Sequence, residues 1–357
     1  MKKFLALLMA LVMTMSFAAC AMADGAEIAL ITDIGTIDDK SFNQGAWEGI
    51  KAYADAAGVS YQYYQPAAQG TDVYLDEIDK AVNNGAKIVV TPGYLFEEPI
   101  YIAQDMYPEV TFILIDGNPH NADYSEYRTE ANVVGILFQE EQSGFLAGYA
   151  AVKDGYTKLG FMGGMAVPAV IRFGYGFAQG AEAAAKEMGL TEVTLNYHYT
   201  GGFAATPEAQ ALAASWYNDG VEVIFGCGGA VGNSVMAAAE EAGKAVIGVD
   251  VDQSSESATV VTSAMKGISE AVTAMIEAYY AGNFPAGGAL NLGAAEQGVK
   301  LPMETSKFTT FTQADYDAVY GKLVAGEITL VKDVDAEGNA VNPENLPLEI
   351  VKITVVQ

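Results

Sequence analysis

The chain reads itself twice, and this duplication narrows the architectures open to it more than any other feature. Phe42 opens a helix-period segment that stops at Gly58, and Phe173 opens one that stops at Gly189; Gly49 and Gly180 each follow their phenylalanine by seven residues. A polar, tyrosine-rich strand comes next in both copies, YQYYQPAAQG and LNYHYTGGFA. Gly85 then precedes AKIVV as Gly220 precedes VEVIF, and Asp116 closes TFILIDG as Asp250 closes AVIGVD. The offsets are 131, 135 and 134 residues for Phe42/Phe173, Gly85/Gly220 and Asp116/Asp250. Ordered matches at nearly constant spacing mark a repeated unit.

The apolar runs inside each copy are IALITD, AKIVVTPG, TFILIDG, KLGFMGG, VEVIFGCGG and AVIGVDVD. They are five to seven residues long, rich in Val, Ile, Leu and Phe, without period-2 alternation, and they end in Gly, Asp or Pro. Strands covered on both faces look like this, so a parallel sheet with helices on either side is expected. Ser41-Phe42-Asn43-Gln44 reads as an S-x-x-Q capping box, and Thr206-Pro207 as an N-cap followed by Pro at the first helical position. Two βαβαβ copies predict an α/β chain of two lobes, each a doubly wound parallel sheet open to ligands at the carboxyl edge of its strands. The strand and helix in VVTSAMKGISEAVTAMIEAYYAG (260–282) and the tail from Asn283 are left over. That surplus fits lobes joined by several hinge crossings. The expected division is 27–134 plus 262–289 for lobe 1, and 135–261 plus 290–357 for lobe 2.

Met1-Lys2-Lys3 followed by an apolar run from Phe4 to Phe17 has the form of a signal peptide, residues 1–23. Phe17-Ala18-Ala19-Cys20 resembles a lipobox, which would make Cys20 a lipid anchor; Ala21-Met22-Ala23 offers ordinary A-x-A cleavage instead. The mature chain is therefore expected outside the cytoplasm, tethered to the outer face of the membrane or free. With 45 acidic against 18 basic residues and a formal charge of −27, the surface repels phosphate backbones, which excludes a nucleic-acid-binding role. Two cysteines and two histidines leave no zinc ribbon, iron–sulfur cluster or disulfide scaffold. Cys227 reads as a small core hydrophobe, and no metal or cofactor is expected.

Enzyme signatures are absent: there is no G-x-x-x-x-G-K-[ST], G-x-S-x-G or H-E-x-x-H, and DIGTIDDKS lacks the order of a calcium loop. What remains is a binding constellation. Asp33, Asp116 and Asp250 each end an apolar run. Singly, such an Asp makes an Asx-turn or caps a helix; three on one cleft edge would accept hydrogen bonds from hydroxyls or ring N–H groups and repel phosphate. Phe42 and Phe203, one per lobe, would suit a flat ring between them, or would simply pack on their own helices. Lys266 would pair with Asp250 and reach a ligand hydroxyl, or lie solvated at a helix start.

TDIGTIDDKSFNQGAWEGIK resembles the opening block of the basic membrane protein family of ABC-transporter solute-binding lipoproteins. The likeness continues in order through FQEEQSGFLAGYAA, GFMGGMAVP, RFGYGFAQG, YTGGFAATPEAQALA, GCGGAVGN, GVDVDQS and VVTSAMKGISEAV. It implies a type I periplasmic-binding-protein fold that holds a nucleoside, purine favoured, between the lobes. Phe42 and Phe203 match ring-stacking positions, Asp33 the aspartate facing the base, and Asp116, Asp250 and Lys266 groups around the ribose. Gly228 matches a backbone contact, and Asn43 a further ligand contact. The resemblance also implies ABC permease and ATPase partners and a monomeric, non-enzymatic receptor. A sugar or other small polar solute in the same fold is the alternative, with an exported nucleoside-processing enzyme further behind. The sequence departs from the pattern at Ala166 and at Ala230-Val231.

Overall fold

A computed structural model describes residues 25–335 and 337–357. The leader at 1–23 and Cys20 lie outside the described residues.

The first sheet contains β1 (Ile28–Ile31), β2 (Tyr61–Tyr64), β3 (Ile88–Pro92), β4 (Thr111–Ile115), β5 (Val133–Phe138) and, from far along the chain, β11 (Gly288–Leu292). Its order is β2-β1-β3-β4-β5-β11, parallel throughout. The second contains β6 (Lys158–Gly163), β7 (Val193–Tyr199), β8 (Val223–Cys227), β9 (Ala245–Asp250) and β10 (Val260–Lys266), with β12 (Val299–Lys300) and β13 (Val351–Val355) at its edges. Its central order, β7-β6-β8-β9-β10, repeats the first sheet's β2-β1-β3-β4-β5. Only β12 runs antiparallel. β5, in NVVGILF, was not singled out in the sequence. In the C-terminal tail Val351–Val355 forms a strand, and an isolated bridge joins Val334 to Ala340.

Alternate residues of each strand feed two different apolar layers. Ile28, Leu30, Ile88 and Val90 face α1 (Phe42–Ala57) and α8 (Ile268–Tyr280), while Ala29, Ile31, Val89 and Phe112 face α2 (Thr71–Asn83) and α3 (Glu97–Met106). In the second lobe Leu159, Phe161 and Phe225 pack with α4 (Glu140–Lys153) and α5 (Pro168–Met188). Met162, Ile224 and Val246 pack with α6 (Pro207–Asn218) and α7 (Val231–Ala242). Burial on both faces is why these strands carry no polar alternation. The last helix, α9 (Gln313–Val324), opens with a Thr312/Asp315 capping box and lies in the layer holding α4. No helix among the described residues is long and apolar enough to cross a membrane.

The duplication extends to the backbone. Gly58 and Gly189 end their helices at φ 70° and 66°, and Gly85 and Gly220 turn at 96° and 99°. Asp116 and Asp250 both leave their strands left-handed, at 59° and 65°. The matched phenylalanines are not equivalent, however. Pro168 at the first helical position starts α5 before Phe173, so Phe173 is buried in the helix body while Phe42 heads α1.

The chain passes between lobes after Phe138, after Lys266 and after Leu292, each a few residues later than the boundaries 134/135, 261/262 and 289/290 expected from sequence. The strands run on into the hinge because their last residues still pair in the sheets. The crossings are laced together. Gln139 N–H donates to Leu292 O at 3.1 Å, Ser143 Oγ to Met265 O at 2.9 Å, Gly267 N–H to Gly298 O at 2.8 Å, and Ala294 N–H to Gln142 Oε1 at 2.7 Å. Behind them α4 and α5 approach so closely that a Cβ on Gly144 or Gly148 would collide with the carbonyls of Phe173 and Phe177. One on Gly176 or Gly180 would strike those of Glu141 and Phe145.

Candidate functional site

Segments after β1, β3 and β4 of one lobe and after β6, β7, β8 and β9 of the other line a single cavity of about 390 Å³. That size falls within the roughly 300–1,000 Å³ of small-molecule sites. Asp33, Phe42, Asn43, Asp116, Phe203, Gly228, Asp250 and Lys266 all border it. Residues separated by up to 233 positions in sequence (Asp33 to Lys266) thus meet because both sheets present their carboxyl ends to the same space.

Asp33 is buried, and its Oδ1 accepts from Gly35 N–H at 2.6 Å and Asn43 Nδ2 at 2.9 Å. Burial pushes its carboxyl up to about 6 despite those donors. Asn43 donates its other amide hydrogen to Asp39 Oδ2 at 3.0 Å and accepts from Asp33 N–H at 3.2 Å. Both of its N–H groups are therefore spent on aspartates, which makes Asn43 an orienter of Asp33.

The expected Ser41 capping box is absent. Asp39 caps α1, its carboxylate accepting from the N–H groups of Ser41, Asn43 and Gln44 at 2.9, 3.0 and 3.1 Å. A carboxylate is the stronger partner for a helix amino terminus, and Ser41 is freed to donate across the cleft to Asp250 Oδ2. Gln253 Nε2 adds a second bridge to Lys40 O at 2.8 Å.

Lys266 is buried, not solvated, and its first partner is Asp116 rather than Asp250. Its ammonium contacts Asp116 Oδ2 and lies 3.5 Å from Glu140 Oε1 and 3.7 Å from Asp250 Oδ1. It also stands 4.5 Å from the centre of the Phe42 ring, so Phe42 faces the cluster as well as the cavity. Burial works against the ammonium, but the three carboxylates outweigh it and hold Lys266 protonated. Burial pushes Asp116 up to about 7, with Lys266 opposing and Glu140 reinforcing the rise, and raises Asp250 in the same way. Asp116 Oδ1 is buried without a hydrogen-bond partner among the described residues, on the wall of the cavity.

Phe203 stands in the second lobe, half-buried, over a glycine floor. A Cβ on Gly164 would meet its ring carbons at 2.5 and 2.6 Å, and a Cβ on Gly228 would meet Gly164 N and Cα at 2.6 and 2.7 Å. The turn after GFMGG is thus short of side chains because a ring lies on it. Ala166 is exposed, Ala230 borders the cavity and Val231 is buried. Cys227 is buried at the cavity's edge and has no disulfide partner among the described residues.

Asp39, Glu140 and Arg172, which pairs with Glu140 at 2.7 Å, carry no mark in the sequence reading, and Ser41 is marked there only as a cap. Glu140 follows β5 much as Asp116 follows β4, so the strand-end criterion would have found it had β5 been identified.

A family described as ABC transporter substrate-binding protein, PnrA-like, matches residues 26–332. The chain belongs to this family. It is 30% identical over 307 residues to basic membrane protein A1 of Borrelia garinii, covering 85% of this chain and 87% of that one. It is 28% identical over 321 residues to the ABC transporter nucleoside-binding protein BmpA of Lactococcus lactis, covering 83% and 87%. Among solved structures, an ABC transporter solute-binding protein from Aeropyrum pernix superposes with a TM-score of 0.75 at 25% identity, over 87% of this chain and 94% of that one. The Lac repressor shares the fold at 13% identity and a TM-score of 0.54, over 83% and 85%. This is a family of substrate-binding proteins rather than enzymes, and its α/β two-lobed fold is the one read from the duplication.

Proposed function

We propose that this chain is the extracytoplasmic receptor of an ABC importer and that its solute is a nucleoside, purine favoured. The observation that carries this reading is the pairing of one aromatic ring from each lobe with strand-end carboxylates around one small cavity. Phe42 and Phe203 would hold the base, base–aromatic stacking contributing about 1–3 kcal/mol. Asp33, oriented by Asn43, would accept from the base. Asp116 and Asp250 would accept from ribose hydroxyls, Lys266 would donate to one, and Gly228 would offer backbone. Hydrogen bonds to such charged groups contribute roughly 1.5–3 kcal/mol each, and a 5′-phosphate would face repulsion from the same carboxylates. The Lactococcus relative, a nucleoside-binding protein by name, supports this choice of solute. Cys20 would carry the lipid anchor, with permease and ATPase subunits as partners and the receptor itself monomeric.

Isothermal titration calorimetry tests the solute. Inosine, guanosine or adenosine should bind at micromolar affinity or better, while ribose and the 5′-monophosphates should bind far more weakly. Absence of nucleoside binding refutes the proposal. Equal affinity for ribose, with Phe203→Ala indifferent, would move the assignment to a sugar.

A further inference from the structure

Glu140 does not border the cavity, yet it is fully buried at the first position of α4, directly after the first lobe crossing. Lys266, its neighbour at 3.5 Å, is the last residue before the second crossing. The pair therefore joins two hinge segments immediately behind the ligand-facing carboxylates. Arg172 Nε fixes Glu140 Oε2 at 2.7 Å, and the glycine-mediated contact of α4 with α5 keeps these two side chains in register. Arg172 also reaches Asp333 of the C-terminal segment at 3.5 Å. Glu140 Oε1 has no hydrogen-bond partner among the described residues.

The buried charges do not balance. Lys266 and Arg172 face Asp116, Glu140 and Asp250. The remaining ionisable groups that act on this cluster are Asp33 and Asp39 after β1, Glu97 at the head of α3, Glu141 beside Glu140, Cys227 at the end of β8, and the half-buried Asp333. Lys332 is spent on Glu141 at 2.9 Å and none of the others is a cation, so the excess stands, and an uncompensated buried charge is expensive.

We propose that Glu140 is a positioning residue that holds Lys266 between the two strand-end aspartates and keeps the cluster one carboxylate in excess, so that seating a hydroxyl-bearing ligand on Asp116 expels a proton. Glu140 itself stays ionised: burial opposes this, but Arg172 and Lys266 more than offset it. The extra proton then resides on the aspartate pair, with Asp116 near 7. A ligand hydroxyl donating to Asp116 favours the carboxylate, and the proton that carboxyl carried passes to solvent. The ligand side of this inference rests on the nucleoside reading; the charge side does not.

Inosine titrated calorimetrically at pH 7 in buffers of different ionisation enthalpy should release about half a proton per ligand, with affinity rising about tenfold between pH 6 and 8. Glu140→Gln leaves two cations facing two carboxylates, so release at pH 7 should fall to the roughly one-tenth proton that Asp33 contributes and affinity should change only about twofold over that range; Glu140→Asp should retain the larger effects. Infrared titration of the ligand-free protein supplies the second measurement. A protonated-carboxyl band that disappears near pH 7 should be present in the unaltered chain and missing from Glu140→Gln. Unchanged proton release in Glu140→Gln, or no such band in the unaltered chain, overturns the proposal. Failure of every nucleoside to bind while the band behaves as stated would instead refute the assigned solute and, with it, ligand-driven release.

Discussion

Gly164 does not border the cavity, yet replacing it with alanine should weaken nucleoside binding. The new Cβ would lie 2.5 and 2.6 Å from two Phe203 ring carbons and 2.9 Å from Gly202 O. The loop backbone cannot easily retreat, because Gly201 N–H donates to Gly164 O at 3.1 Å and Ala230 N–H to Phe203 O at 2.9 Å. The ring must therefore swing out of its place over the cavity. Stacking removed in this way is worth about 1–3 kcal/mol, or about 5- to 150-fold in affinity. Global stability should fall by less than about 1 kcal/mol, since Phe203 is a half-buried loop residue. Calorimetry with inosine and thermal unfolding of Gly164→Ala, Phe203→Ala and the double variant give the assay. The double variant should bind no worse than Phe203→Ala alone, because both changes remove one interaction. Wild-type affinity in Gly164→Ala, or strictly additive losses, would refute the reasoning.

Lys266→Met should destabilise the fold by about 3–5 kcal/mol in urea unfolding at pH 7.5, because Asp116, Asp250 and Glu140 lose the ammonium between them and must either stay buried as unpaired charges or take up protons at a cost. That deficit should shrink on acidification, as carboxyls with raised folded-state pKa values take up protons more readily than in the unfolded chain. Asp33 titrates near 6 when folded against 3.8 for the free group, so its contribution to stability is greatest in acid and is lost as pH rises from about 4 to about 6. Thermal scans of Asp33→Asn should lack that slope, be up to about 3 kcal/mol more stable at pH 7, and show weakened ligand binding. Asp39→Ala should cost about 0.5–2 kcal/mol and expose the Asn43 and Gln44 amides to hydrogen exchange; Ser41→Ala should leave those amides protected.

Much of the candidate site was legible because it sits on features that sequence displays. Asp116 and Asp250 stand at the same point of a repeated unit, and the left-handed backbone they share is tolerated by Asp better than by most residues. Phe203 follows two glycines that leave room around it. By contrast, the capping role expected of Ser41 falls to Asp39. Both are good caps locally, and the choice was made by Asp250, which lies 209 residues away and takes the Ser41 hydroxyl. Lys266 does lie 3.7 Å from Asp250, as its sequence neighbourhood suggests, but the first lobe delivers Asp116 to it as the nearer partner.

The amino-acid order alone determined the duplication, the strand-and-helix alternation inside each half, and hence two doubly wound sheets with their acids at the carboxyl ends. These are matters of period, apolar run length and turn chemistry, and they act over a few residues at a time. The tertiary structure alone decided which acid holds which cation, where the chain crosses between lobes, and that Glu140 and Arg172 stand behind the ligand wall. Such pairings depend on distances between segments more than a hundred residues apart, and on a low-dielectric interior that makes every unbalanced charge consequential. Neither is a property of any stretch of sequence until both sheets close around the same cavity.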